Sequence, residues 1–356
     1  MIGNDDLKAA VGAGIVSEQQ AASLVSLAHS RNGARENLDP GDEPFELFKG
    51  FNEIFIVIGL VILSVGWWGV SAAIYTSSIT NPQQAAIPFG LVGAATIWLL
   101  SEYFVRRRRM VAPAIALSIL FAVNAAIALT AYFAEPFMVA QEDFGSLPLP
   151  FALGTVALLI YWLRFKVPFA MAMIAVGLFI VALLLAATQS GTPSSPEDLF
   201  LLSAGGPFAW ITLALGIAVF VVAMVFDMSD PHRVTRRSAN GFWLHVVAAP
   251  ALVNTIALSL LSQESTGSNA ILFGILIIFG IVAIIIDRRS FLIAAIGYVV
   301  ALAATVFEGD GAMTTILILG IVLLLLGAFW EKIRARLLKV VPGFVPLDRL
   351  PPSVET

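Results

Sequence analysis

All twenty lysines and arginines of this chain fall in alternate gaps between long apolar runs. Lys8, Arg31, Arg35 and Lys49 precede the first run; Arg106 to Arg109 follow the second; Arg164 and Lys166 follow the fourth. Arg233, Arg236 and Arg237 follow the sixth, Arg288 and Arg289 the eighth, and Lys332, Arg334, Arg336, Lys339 and Arg349 the last. The intervening gaps hold Glu135, Glu142, Asp143, Glu197, Asp198, Glu264, Glu308 and Asp310 instead. A chain that sorts its positive charge in this way is threaded through a membrane, with the basic gaps on the cytoplasmic side. An error of one span would scramble the alternation.

The runs are about 16 to 25 residues long, enough or nearly enough for a helix to cross the hydrocarbon, and they are continuous where a barrel strand would alternate. Their boundaries are expected near 52–74, 84–105, 111–133, 148–163, 167–187, 204–227, 240–262, 269–286, 291–307 and 312–330. The fourth is short, opens on Pro148 and Pro150, and is separated from the fifth only by Arg164-Phe165-Lys166. That pair could be a re-entrant hairpin. Composition agrees with a lipid-solvated chain: 59% hydrophobic and 12% charged, where a soluble domain averages about half and about a quarter. The expected fold is an all-α polytopic membrane helix bundle of about ten transmembrane helices, both termini cytoplasmic, in a bacterial cytoplasmic (inner) membrane.

Four regions follow from the pattern. Residues 1–38 hold a helical hairpin and linker: Asn4 or Asp5 caps a helix ending near Gly14, and Ser17 with Gln20 forms a capping box for a second helix towards His29. Two short helices bury too little surface to stand alone, which suggests a docking partner for residues 1–30. Residues 39–51 form an interfacial elbow marked by Phe45, Phe48 and Phe51. The bundle covers 52–330. The tail, 331–356, is amphipathic and is expected to lie on the anionic inner surface, with Ile333, Leu337, Val340 and Val341 on one face. No cleavable signal peptide is visible, so the first span is expected to be retained. The chain has no cysteine, which excludes disulfides and thiol chemistry.

Carboxylates sit at span ends. Glu102 lies one turn before Arg106, Asp287 abuts Arg288, and Asp227 marks the exit of the sixth span; local pairing or snorkelling would explain each. The polar groups at mid-membrane are Asn124 and Asn254, both expected to face the bundle interior. Pro250, one turn before Asn254, frees the carbonyl of Val246, and a kink there could open a polar pocket.

The stretch from Phe226 to Pro250, FDMSDPHRVTRRSANGFWLHVVAAP, concentrates charge that the rest of the chain keeps to its edges. Asp230-Pro231 reads as a cap and first turn, after which Arg233, Arg236 and Arg237 would share a helix face, with Ser238 capping the next span and His245 at the inner interface. Three guanidiniums at headgroup depth suit a lipid phosphate or phosphorylated ligand; the competing reading is that they only set topology. His245 shows no carboxylate or second histidine at ligand spacing. The candidate lipid- or ligand-binding residues are therefore Arg233, Arg236, Arg237, His245, Asn124 and Asn254. No catalytic residue, metal ligand or cofactor is assigned, since no Walker loop, dinucleotide glycine motif, HExxH or Ser-His-Asp pattern occurs. Gly90 with Ala94, Ala170 with Ala175, and Gly320 with Gly327 read as close-packing faces.

Residues 9–28, AAVGAGIVSEQQAASLVSLA, resemble the N-terminal signature of bacterial membrane proteins of the domain of unknown function 2157 type, a short helix, a turn and a second helix ahead of many spans. The resemblance implies the layout and supplies no activity or site residue. Two functional readings stand. One is non-enzymatic transport or permeation of a small solute or lipid, by analogy with bundles that divide five plus five. The other is a membrane scaffold or sensor that engages a cytoplasmic partner through its N-terminal hairpin. Membrane lipids, anionic headgroups at the inner leaflet among them, are the expected partners, and no nucleic acid is expected.

Overall fold

The computed structural model describes residues 4–17, 20, 21, 24, 51–78, 82–135, 138, 143–231, 233, 235–263, 265–291, 293, 296, 298, 300, 310–341 and 345–351. Among them are helices and turns and no strand. The chain divides into two compact units, Met1–Leu47 and Phe48–Thr356.

In the first unit, α1 (Asn4–Gly12) stops because Gly14 takes a left-handed φ of +72°. The Gly14 N–H then donates to Val11 O at 3.0 Å and the Ile15 N–H to Ala10 O at 2.9 Å, satisfying the last carbonyls as in a Schellman motif. The capping box expected next is formed: Ser17 N–H donates to Gln20 Oε1 at 2.9 Å and Gln20 N–H to Ser17 Oγ at 3.2 Å. The rest of that second helix, His29, the linker and all of the elbow before Phe51 lie outside the described residues.

In the second unit eight helices, among the described residues, are long and apolar enough to cross a membrane. They are α2 (Phe51–Ser78), α3 (Pro82–Ser101), α4 (Ala112–Phe133), α5 (Pro148–Phe165), α6 (Pro168–Ser190), α7 (Phe208–Met228), α8 (Arg236–Leu261) and α9 (Thr266–Ile286). The expected ninth span, 291–307, lies mostly outside the described residues, and α10 (Asp310–Ala328) covers the tenth. The two doubtful spans are separate long helices. Lys166 makes this possible by adopting φ +54°, so that its N–H closes α5 on Trp162 O at 2.7 Å, and Pro168 opens α6 where no N–H is needed.

Helix pairs approach through small residues, as expected where lipid offers no hydrophobic gradient between helices. A Cβ on Gly90 would stand 2.7 Å from Ala128 N and 2.8 Å from Asn124 O, so α3 and α4 meet backbone to backbone. Ala170 and Ala175 are buried as expected. Among the described residues nothing lies within 4 Å of a Cβ added at Gly320 or Gly327. One core gathers Leu117, Phe121, Tyr161 and Phe165 around Trp98, with Tyr161 OH and Ser101 Oγ hydrogen-bonded at 2.8 Å. A second lies around Ala249, Val253 and Leu272, and Ala223 with Ala248 joins α7 to α8.

One end of the bundle is basic, and a buried carboxylate ties it together. Glu53, near the start of α2, accepts from the Val111 and Ala112 N–H groups at 3.4 and 3.0 Å, covering the otherwise unpaired donors at the start of α4. α3 ends on the same side in a π-helical turn, Glu102–Arg107, and Glu102 pairs there with Arg106 at 3.2 Å and with Arg164 of α5 at 2.7 Å.

Candidate functional site

At the junction of α7 and α8 the polar residues of the Phe226-to-Pro250 stretch are mostly turned inward. Asp227, in the last turn of α7, is 4% exposed and accepts from three donors: His245 Nε2 at 2.9 Å, Arg288 Nε at 3.0 Å and Arg288 Nη2 at 2.6 Å. The planar guanidinium thus grips the carboxylate with two N–H groups, which a lysine could not do. Gly241 on α8 faces this carboxylate, and a Cβ there would overlap Asp227 Oδ1. Arg288 Nη2 also donates to Ser238 O at 3.0 Å, and the rings of Phe220 and Phe291 stand edge-on to the imidazole.

A second pair lies beside it. Arg233 donates through Nη1 to Asp287 Oδ2 at 2.7 Å and through Nη2 to Asp287 O at 2.6 Å, while Trp330 Nε1 donates to Asp287 Oδ1 at 2.7 Å. Both Arg233 (φ +53°) and Asp287 (φ +57°) hold left-handed backbone conformations. Each costs free energy that the surrounding bonds must offset. α11 (Trp330–Leu338) packs on this end through Trp330, Arg334 and Ala335. Arg334 donates to Ile284 O at 3.1 Å and to Pro351 O, and burial pushes its guanidinium below the ordinary value against the pull of Asp287 and Glu331.

This geometry corrects several expectations. Arg233 does not share a helix face with Arg236 and Arg237: it is 9% exposed and sits in the turn before α8. The cap of α8 is Thr235, whose Oγ1 accepts from Arg237 N–H at 3.1 Å, and not Ser238, which is buried inside the helix. Asp230 serves Thr235, accepting its N–H and hydroxyl at 2.8 Å each. His245 has a carboxylate partner after all, Asp227, and is fully buried. Asp287 and Arg288 are neighbours that pair with other residues, since adjacent side chains do not face one another. In the tail Trp330, Arg334 and Ala335 are buried, Ile333, Leu337 and Val341 are half-buried and Val340 is exposed; the expected placement of this segment on the inner surface is untouched by that.

What remains open to solvent is a groove of about 660 Å³ lined by Trp162, Lys166, Phe226, Thr235, Arg236 and Arg237, with Ser229 and Asn240 completing it. Arg236 and Arg237 are exposed in the first turn of α8, and Lys166 Nζ lies 4.3 Å from the Trp162 ring centroid. The buried pairs fix the turn between α7 and α8, and that turn sets the two arginines on the groove. No family model matches the chain, and no curated protein or solved structure matches it.

The two asparagines are placed apart. Asn124 on α4 is 3% exposed, with Nδ2 donating to Leu120 O at 2.8 Å, and it lines a different concavity, towards the end of α2, α3 and α4 remote from Glu53. Asn254 on α8 is half-buried and does not line that concavity. Sequence reasoning missed Glu53, Gly241 and the role of Trp330. Glu53 carried a signal, a carboxylate five residues past Phe48 inside an apolar run, whereas Gly241 carried none without knowledge of what faces it.

Proposed function

We propose that the chain is a non-enzymatic membrane protein for lipid-related transport, which takes an anionic headgroup of the inner leaflet into the groove between α5, α7 and α8. One observation carries this reading: Lys166, Arg236 and Arg237 border a single groove whose other lining includes the aromatic Trp162 and Phe226 beside Ser229, Thr235 and Asn240. Cations for a phosphate beside aromatic walls for the glycerol and upper acyl region match an amphiphile better than a free ion. The first turn of α8 adds the positive end of a helix to the same spot. At the depth of anionic headgroups each basic residue contributes about 1 kcal/mol of attraction, so three together suffice for tenfold discrimination.

Lipid mass spectrometry of the full chain tests it. Wild type is expected to retain phosphatidylglycerol over phosphatidylethanolamine. A Lys166→Gln, Arg236→Gln, Arg237→Gln variant should lose at least about tenfold of that preference, and an Arg236→Lys, Arg237→Lys variant part of it, because the planar fork is gone. Equal retention in all three proteins would reject the site and leave the cations as topology signals. Displacement of the lipid by inorganic phosphate alone would mark a soluble phosphorylated ligand instead.

A scaffold or sensor reading is favoured by a separate observation, the pre-formed Schellman turn and capping box of the first unit. Deleting residues 1–47 should then abolish recruitment of a cytoplasmic protein while headgroup retention stays at the wild-type level. Recruitment that survives the deletion removes this reading.

A further inference from the structure

The cations of the groove between α5, α7 and α8 differ from the other arginines of the same end of the bundle. Arg106 and Arg164 are held by Glu102, Arg233 by Asp287 and Arg288 by Asp227. Lys166, Arg236 and Arg237 have no carboxylate partner among the described residues, and no carboxylate lines the groove beside them.

The remaining polar side chains of the lining add donors more than acceptors. Ser229 spends its hydroxyl hydrogen on Phe226 O at 2.7 Å, and Thr235 spends its own on Asp230 Oδ2 at 2.8 Å while its oxygen accepts the Arg237 N–H at 3.1 Å. Asn240 is 6% exposed and also lines the groove, one turn after Arg236 and Arg237 and on their side of α8. An indole N–H can only donate, and Trp162 Nε1 donates to Asn240 Oδ1 at 3.5 Å, so the amide oxygen faces the ring and the NH2 faces away. Among the described residues that NH2 has no partner, and it is not sealed from solvent. It is a further donor beside the two guanidiniums.

Headgroups divide by what they present to such a wall. An ammonium needs a carboxylate, which the lining lacks. A phosphodiester brings one negative charge, and a glycerol substituent brings hydroxyl donors that need acceptors. A phosphomonoester carries a charge of about −1.5 to −2 at neutral pH and three terminal oxygens that accept strongly. Charge-assisted bonds from planar guanidiniums to such oxygens are the strong kind.

We propose that the groove selects a phosphomonoester, the headgroup of a phosphatidate-like lipid. Arg236 and Arg237 grip the terminal oxygens, Lys166 supplies a point charge and Asn240 Nδ2 donates to an oxygen the guanidiniums leave open. The inference rests on the headgroup reading of the same groove and narrows it from anionic to dianionic.

The full chain in phosphatidylcholine nanodiscs is titrated with phosphatidate, phosphatidylmethanol, phosphatidylglycerol and phosphatidylethanolamine of identical acyl chains, and bound lipid is counted by native mass spectrometry. Phosphatidylmethanol differs from phosphatidate by one methyl on the phosphate, which turns the monoester into a diester. Phosphatidate should be retained about tenfold over phosphatidylmethanol, with phosphatidylmethanol and phosphatidylglycerol alike. Asn240→Asp keeps an acceptor for the Trp162 indole but replaces the donor with a negative charge, and it should bring phosphatidate down to the diester level or below. If Asn240→Asp fails to fold, the comparison of the four lipids on wild type decides. Displacement of phosphatidate by an equal concentration of glycerol 3-phosphate would uphold the monoester and assign it to a soluble source; no displacement assigns it to the lipid. Equal retention of phosphatidate and both diesters, all above phosphatidylethanolamine, would overturn the inference and leave the headgroup reading standing. Equal retention of all four lipids would remove both.

Discussion

Asp227 and His245 stand 18 positions apart in the chain, yet imidazole Nε2 and carboxylate Oδ2 lie 2.9 Å apart with both side chains buried. Arg288, 61 positions from Asp227, closes the same group. A cluster of this kind, once desolvated, is weak evidence for net stability but is intolerant of losing one member. Its structural consequence is to hold the turn that sets Arg236 and Arg237 on the groove.

Asp227→Ala leaves a guanidinium buried without its carboxylate. We expect a loss of about 3 to 5 kcal/mol, read as a large fall in the thermal midpoint of the protein in detergent. The double variant Asp227→Ala, Arg288→Met should recover part of it, because the stranded charge is removed with its partner. A single variant that melts with wild type would show that the cluster is not a constraint on the fold.

Glu53 should behave as a cap. Glu53→Ala uncovers the N–H groups of Val111 and Ala112 and is expected to cost about 1 to 2 kcal/mol. Glu53→Gln, which keeps one acceptor, should cost less. Hydrogen exchange at the first turn of α4 is the local readout: faster exchange there, with the far end of α4 unchanged, is the expected pattern.

The backbone contact of α3 with α4 makes Gly90 and Gly154 a matched test. A Cβ at Gly90 meets backbone at 2.7 Å, which cannot yield, whereas at Gly154 the nearest atom is Leu129 Cδ1 at 3.9 Å. Gly90→Ala should destabilise by about 1 to 3 kcal/mol and Gly154→Ala should be neutral or slightly stabilising. The reverse order would contradict the packing.

With no native cysteine, single-cysteine labelling in intact cells checks orientation. Cysteines at Gly145 and Thr192, both exposed, should react with an impermeant thiol reagent from outside, and one at Ser229, exposed beside the groove, should not. Ser238 is unsuited to this test because it is buried. Labelling of Ser229 from outside would invert the topology and place the groove on the wrong leaflet for its proposed ligand.

Most of the helices were legible in the sequence because length and apolarity decide them one run at a time. The two-residue turn at Lys166-Val167 was not, since a left-handed lysine is a local choice that no composition rule forecasts. The site was legible as a region and wrong in its internal assignments. Spacing rules see neighbours three or four positions apart on a helix, so Glu102 with Arg106 was found, and Arg233 with Asp287, 54 positions apart, was not. Arg233 looked like its neighbours Arg236 and Arg237; the break between them is a helix start at Thr235 that depends on Asp230. Asn124 was read as interior from cost alone, which holds, but the bond to its own helix and the glycine that admits it needed the packing of α3 on α4.

The central claim is that the groove bounded by Trp162, Lys166, Arg236 and Arg237 receives an anionic headgroup, and an electron cryomicroscopy map of the full chain in phosphatidylglycerol nanodiscs tests it most directly. The account predicts headgroup density in the groove within hydrogen-bonding distance of the Arg236 and Arg237 guanidiniums, lost when both are changed to glutamine. A groove holding only solvent, or filled by another segment of the chain, with the same map in the glutamine variant, would contradict it.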